Sequence, residues 1–143
     1  MYKIYLNDNN NKNIKETFNV LEENLEEYVI YRNEIDMKED YIIEECNDIR
    51  VNMYLSINIS KEEKNKIYYN KNNSYSYYIY NLIKKEFDKN KLLLEYDNRK
   101  KKDIVDIFSP CVRIELNKRD FNKEILIRVL KQVIINYFNQ EEI

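Results

Sequence analysis

The sequence predicts an α+β fold. We expect one domain over residues 1–143, with a mainly antiparallel sheet of about five or six strands, two to four helices packed on one of its faces, and a long C-terminal helix. Three observations carry that expectation. Stretches with a two-residue hydrophobic period and stretches with a helical period both occur, in the mixture that layered α+β packing requires. A length of 143 residues suits a single core. The 13% aromatic content and the clear periodicity argue for folding, although the mean hydropathy is -0.77.

Residues 2–6 open the chain as a strand, with Tyr2, Ile4 and Leu6 on one face and Lys3 and Tyr5 on the other. A polar loop, Asn7 to Asn13, leads to a helix. Asn13 and Glu16 form a capping box, and Ile14, Phe18, Leu21, Leu25 and Tyr28 follow at helical spacing. Tyr28 to Tyr31 and Tyr41 to Ile43 read as short strands around a charged loop. From Ile49 to Ser60 hydrophobic and polar residues alternate six times, the strongest strand signal in the chain, with one face packed and the other wet or bound to something. A second capping box, Ser60 to Glu63, predicts a short helix through about Tyr69.

Ser74 is placed to cap a further helix whose Tyr75, Ile79, Leu82, Ile83 and Phe87 share a face. Lys91 to Tyr96 and Asp103 to Phe108 read as strands around a charged turn. Val112, Ile114 and Leu116, alternating with Arg113 and Glu115, make the last strand. Asp120 then caps a helix lined by Phe121, Ile125, Val129, Leu130, Val133, Ile134 and Tyr137. Turns in a chain without glycine must rely on Asn, Asp and Ser, whose short side chains tolerate the left-handed region.

Composition excludes more functions than it suggests. With no Gly, the sequence has no phosphate-cradling P-loop, dinucleotide fingerprint, EF-hand turn or G-x-S-x-G elbow. With no His, it lacks the commonest general base and metal ligand. Cys46 and Cys111 are too few for a disulfide framework or a thiolate zinc site and read as buried, reduced thiols. No catalytic residue, metal site or cofactor is expected. Glu44 with Glu45, or Asp36 with Asp40, could hold a divalent cation or act as acid and base, but in so acidic a chain such pairs arise by chance. No apolar leader or membrane-length segment is evident, so a cytoplasmic or host-intracellular setting is expected.

Charge is divided along the chain. Residues 1–60 carry a net -7 and residues 61–143 a net +5, and the stretch 22–48 alone reaches -9. Glu22, Glu23, Glu26 and Glu27 lie opposite the first helix's apolar stripe, and with Asp36 and Asp40 they compose an acidic face suited to a basic protein surface. The expected function is therefore a non-catalytic binding protein that neutralises a larger, nucleic-acid-processing protein. A viral or phage host-defence antagonist, an anti-CRISPR-like inhibitor or an immunity protein would fit, and a homodimer is compatible. The alternative is a nucleic-acid-binding accessory protein. In it Tyr69 and Tyr77 stack bases while Arg99, Lys100, Lys101 and Lys102 hold phosphates. A pI near 5.4 counts against that alternative.

Overall fold

A computed structural model describes residues 1–139 as a three-layer α+β domain. Among these residues there are six strands and five helices. In chain order they are β1 (Lys3–Asn7), α1 (Lys12–Glu23), β2 (Val29–Arg32), α2 (Glu39–Ile49), β3 (Met53–Ser60), β4 (Lys66–Tyr69), α3 (Ser74–Lys89), β5 (Glu95–Tyr96), α4 (Lys102–Asp106), β6 (Cys111–Asn117) and α5 (Lys123–Asn139). The long C-terminal helix and the single domain agree with the sequence.

The pairing differs from the expected antiparallel pattern. The six strands lie in the order β2-β1-β3-β6-β4-β5. β1 runs parallel to β2 and β3, β3 to β6, and β4 to β5; β4 against β6 is the antiparallel pairing. Parallel neighbours need crossover connections, and α1 and α2 supply them between the first three strands. Helices also cover both faces. On one face Ile4, Leu6, Met53, Leu55, Ile57, Val112, Ile114 and Leu116 bury against Phe18 and Leu21 of α1, Ile79 and Ile83 of α3, and Leu130 and Val133 of α5. On the other, Tyr5, Tyr54, Tyr68 and Cys111 pack under Ile42, Ile43 and Cys46 of α2 and Ile104 of α4.

Three segments therefore change type. Tyr41 to Ile43 belongs to α2, because burying Ile42, Ile43 and Cys46 together needs helical spacing. Ser60 to Tyr69 is not a helix: the Ser60 hydroxyl accepts from the Glu62 amide in a bend, and β4 follows. Asp103 to Phe108 holds α4 rather than a strand. Each cap shifts slightly to an asparagine. Asn11 accepts from the Asn13 and Ile14 amides, Asn73 from that of Ser76, and Asn122 from that of Ile125.

The glycine-free turns use Asn9, Asn10 and Asp36 at positive φ, as the sequence predicts, but Arg50 and Lys91 also sit there. Arg50 ends α2 at φ 59°, and its amide and that of Val51 both close on the Cys46 carbonyl. A Cβ in this conformation costs about 1–2 kcal/mol, partly offset by the lower unfolded-state entropy that a Cβ confers. Arg50→Gly is expected to stabilise the protein by about 1 kcal/mol, raising the calorimetric Tm by about 3–5 °C. A lowered Tm would mean that the exposed Arg50 side chain contributes more than its backbone costs.

Candidate functional site

Parallel sheets present ligands beyond the carboxyl ends of their strands, where the strand order reverses. Here that reversal lies between β1 and β3. The second face changes character along the strands towards that end. Its first cross-strand row, Tyr5–Tyr54–Cys111, is apolar and covered by α2 and α4. The next row is Asn7–Ser56–Arg113, flanked by Tyr68; beyond it come Asn58–Glu115–Lys66 and Ser60–Asn117.

Buried polar atoms at this point form one connected group. Asn7 Nδ2 donates to the Tyr54 hydroxyl at 3.0 Å, and that hydroxyl donates to Asp103 Oδ2 at 2.8 Å. Arg113 Nη1 stands 3.5 Å from Asp103 Oδ1 and 3.6 Å from Glu39 Oε2, while Arg113 Nε donates to Glu115 Oε1 at 2.9 Å. Three carboxylates thus surround a single guanidinium. Asp103 and Glu115 have side chains only 1% and 7% exposed, whereas Glu39, at the N-terminal end of α2, is 43% exposed and forms the open rim.

The electrostatics follow from this layout. Desolvation raises the Glu39 pKa above the ordinary glutamate value, and the nearby Asp103 charge raises it further against the pull of Arg113. Burial and the Asp103 charge push the Tyr54 hydroxyl far up, so it stays protonated and can only donate to Asp103. For Arg113, burial opposes the charge, but Asp103 and Glu115 outweigh it and raise its pKa, so the cation is permanent.

A metal ion would need a set of free donors, and no group of three or more His, Cys, Asp or Glu among the described residues is placed to hold one. The acids of the cluster are already turned towards Arg113. Cys46 and Cys111 are both free and buried. Desolvation pushes Cys111 up to about 12, and burial raises Cys46 likewise, so neither offers a thiolate.

A second network flanks the cluster at β4. Arg99 binds Asp97 at 2.9 Å and Glu62 at 3.1 Å and donates to the Tyr68 hydroxyl, while Lys66 reaches Asp97 at 3.1 Å. Hydrogen bonding to Arg99 holds the Asp97 carboxyl well below the usual carboxylate range.

The residues singled out from sequence fall elsewhere. Glu22, Glu23, Glu26, Glu27, Asp36 and Asp40 are all exposed, but Glu26 and Glu27 lie in the turn after α1 rather than on the helix. Glu22 pairs with Arg32, and Asp40 with Lys102. Of the alternative set, Tyr69 is buried in the main core and stacks on Tyr80, Tyr77 is exposed, and Arg99 is occupied by Asp97 and Glu62. Sequence reasoning missed Asn7, Glu39, Tyr54, Asp103, Arg113 and Glu115. A signal existed in the polar outer faces of the two alternating strands, but their adjacency was not readable.

An open, mainly parallel sheet with helices on both faces carries this charged polar cluster beside its strand-order reversal. Solved structures share this fold. The catalytic domain of CwlV, an N-acetylmuramoyl-L-alanine amidase from Bacillus (Paenibacillus) polymyxa var. colistinus, matches with a TM-score of 0.77 at 15% identity, over 97% of this chain and 99% of that one. AmiC2 of Nostoc punctiforme, also an N-acetylmuramoyl-L-alanine amidase, matches with a TM-score of 0.73 at 10% identity, over 96% and 97%. The CwlD amidase from Clostridioides difficile, solved in complex with the GerS lipoprotein, matches with a TM-score of 0.71 at 13% identity, over 97% and 99%. No protein-family model and no curated protein sequence matches the chain.

These likenesses overturn the expectation of a non-catalytic inhibitor or host-defence antagonist, since the fold is one that solved amidases share. Absent His and Gly had suggested otherwise because composition registers missing motifs and is blind to a fold carried by other residues. A protein partner is compatible with the fold, as CwlD with GerS illustrates. Nucleic-acid binding gains no support from them. No described helix is long and apolar enough to cross a membrane.

Proposed function

We propose that the chain is a peptidoglycan amide hydrolase of the N-acetylmuramoyl-L-alanine amidase type, working at the Glu39–Asp103–Arg113–Glu115 cluster. The observation that carries this reading is the coincidence of two features. The fold spans amidase catalytic domains nearly end to end, and the buried charges converge where parallel sheets place ligands.

The chemistry is assigned to groups this chain possesses. Glu39, exposed and with a raised pKa, is the general base. It takes a proton from a water whose oxygen attacks the carbonyl carbon of the amide joining N-acetylmuramoyl to L-alanine. Arg113 faces the negative charge that develops on the carbonyl oxygen. As the carbon–nitrogen bond breaks, the proton held by Glu39 passes to the departing amine and restores the base; the carboxylic acid left on the sugar side then gives its proton to that amine, so the products are a carboxylate and an ammonium group. Asp103, held by Tyr54, and Glu115 are positioning residues that fix the guanidinium.

The test is incubation of the purified chain with peptidoglycan sacculi. The expected products are new L-alanine amino termini and glycan strands stripped of peptide, detected by amine labelling and mass spectrometry. Sacculi left intact after prolonged incubation, under conditions in which another amidase releases peptide, would overturn the assignment.

A further inference from the structure

A cleft of about 250 Å³ opens on the other side of α4, lined among others by Tyr69, Lys71, Tyr96, Arg99, Lys100 and Lys101. We propose that this cleft binds a diphosphate group, as a site separate from the hydrolytic cluster and independent of its activity. Four cationic side chains line it and no carboxylate does. Arg99 is neutralised by Asp97 and Glu62. Lys71, Lys100 and Lys101 meet no carboxylate among the described residues, although the chain as a whole is acidic and most of its basic groups in this region are paired.

Two of these ammonium groups are held in place by rings rather than by acids. Lys71 Nζ lies 4.7 Å from the centroid of the Tyr96 ring, and Lys101 Nζ lies 5.0 Å from that of Tyr68. A ring face orients a cation without cancelling its charge, so the positive potential in the cleft is preserved. The rings are themselves fixed: Tyr96 packs against Tyr69 and Tyr80, and the Tyr68 hydroxyl accepts from Arg99. Concave walls carrying one sign of charge focus the field on the space between them. Three lysines without a carboxylate partner lining so small a cleft suit a compact ligand with two or three negative charges, and lysine recognises phosphate oxygens as a point charge with several donors. A single carboxylate would leave most of this charge unanswered.

Isothermal titration calorimetry at low and at physiological salt tests the assignment, using inorganic pyrophosphate in one arm and uridine diphosphate in another. Sub-millimolar binding that weakens with salt is expected in at least one arm. Tighter binding of the nucleotide would assign a diphosphate ester, and equal or tighter binding of pyrophosphate the free anion. The K71Q/K100Q/K101Q variant should lose about tenfold or more in affinity, the loss of at least one charge-assisted hydrogen bond, while circular dichroism confirms its fold. K84Q/K85Q, on α3 and outside the cleft, should bind as the unaltered protein does. No heat in either arm, or equal weakening by both variants, would overturn the proposal.

Discussion

Replacing Arg113 with Ala is expected to destabilise the protein by about 3–5 kcal/mol, because it strands buried carboxylates without their cation. Against a total stability of about 5–15 kcal/mol, that loss brings many domains close to unfolding. The magnitude rests on burial. Asp103 and Glu115 are 1% and 7% exposed, so water cannot replace the guanidinium as it would at the surface. Tyr54 cannot relieve Asp103 by protonating it, since its own proton is held firmly. The partners should be far less sensitive when removed together: Arg113→Met with Asp103→Asn and Glu115→Gln is expected to recover most of the loss, because it leaves no uncompensated charge. Urea unfolding followed by circular dichroism measures both. An Arg113→Ala midpoint equal to that of the unaltered protein would mean that solvent reaches the cluster freely.

Glu39→Gln is expected to leave stability nearly unchanged and to lower amide hydrolysis by about 10²–10⁴-fold, the usual contribution of a general base. Its side chain is 43% exposed and lies at the rim, so the amide can occupy the same space. The glutamine keeps a hydrogen-bond acceptor for Arg113 but cannot accept a proton at working pH. The pH profile distinguishes this role from a merely structural one. With Glu39 as the proposed base, its ionised form is the active one, so the rate must rise with pH through its pKa and fall as pH drops below it. Because burial and Asp103 raise that pKa, the acid limb should lie above the pH at which an ordinary glutamate titrates. A variant that hydrolyses sacculi at the unaltered rate would transfer the base role elsewhere.

Much of the element pattern was legible because it rests on strong periodicity. Leu6, Leu55 and Ile114 mark strands whose alternation matches the buried row, and Phe18, Ile83 and Val133 mark the three helices packed on it. The sheet's direction was hidden by two local misreadings. Tyr41 to Ile43 is β-prone by composition, yet only a helix lets Ile42, Ile43 and Cys46 face the sheet together. Once it is read as a strand, the β-α-β-α-β alternation that implies parallel pairing disappears. The Ser60 to Glu63 box has the right residues for a helix start, but Ile67 and Tyr69 pair with β6 instead, so tertiary contact overrides the local preference. The cluster could not be assembled from sequence for a related reason: Glu39, Asp103 and Arg113 come from three elements, and only the strand order unites them. The acidic stretch drew attention because charge density is visible in one dimension, whereas burial is not.

The position of β6 in the sheet has a consequence for how the protein is made. Among the described residues this strand comes last of the six in chain order, yet it sits between β3 and β4 and joins β2-β1-β3 to β4-β5. On the ribosome the two halves must wait, each with an unsatisfied edge, until residues 111–117 emerge. A nascent chain halted before Cys111 should therefore need chaperones, and emergence of β6 should trigger cooperative closure rather than a gradual gain of structure.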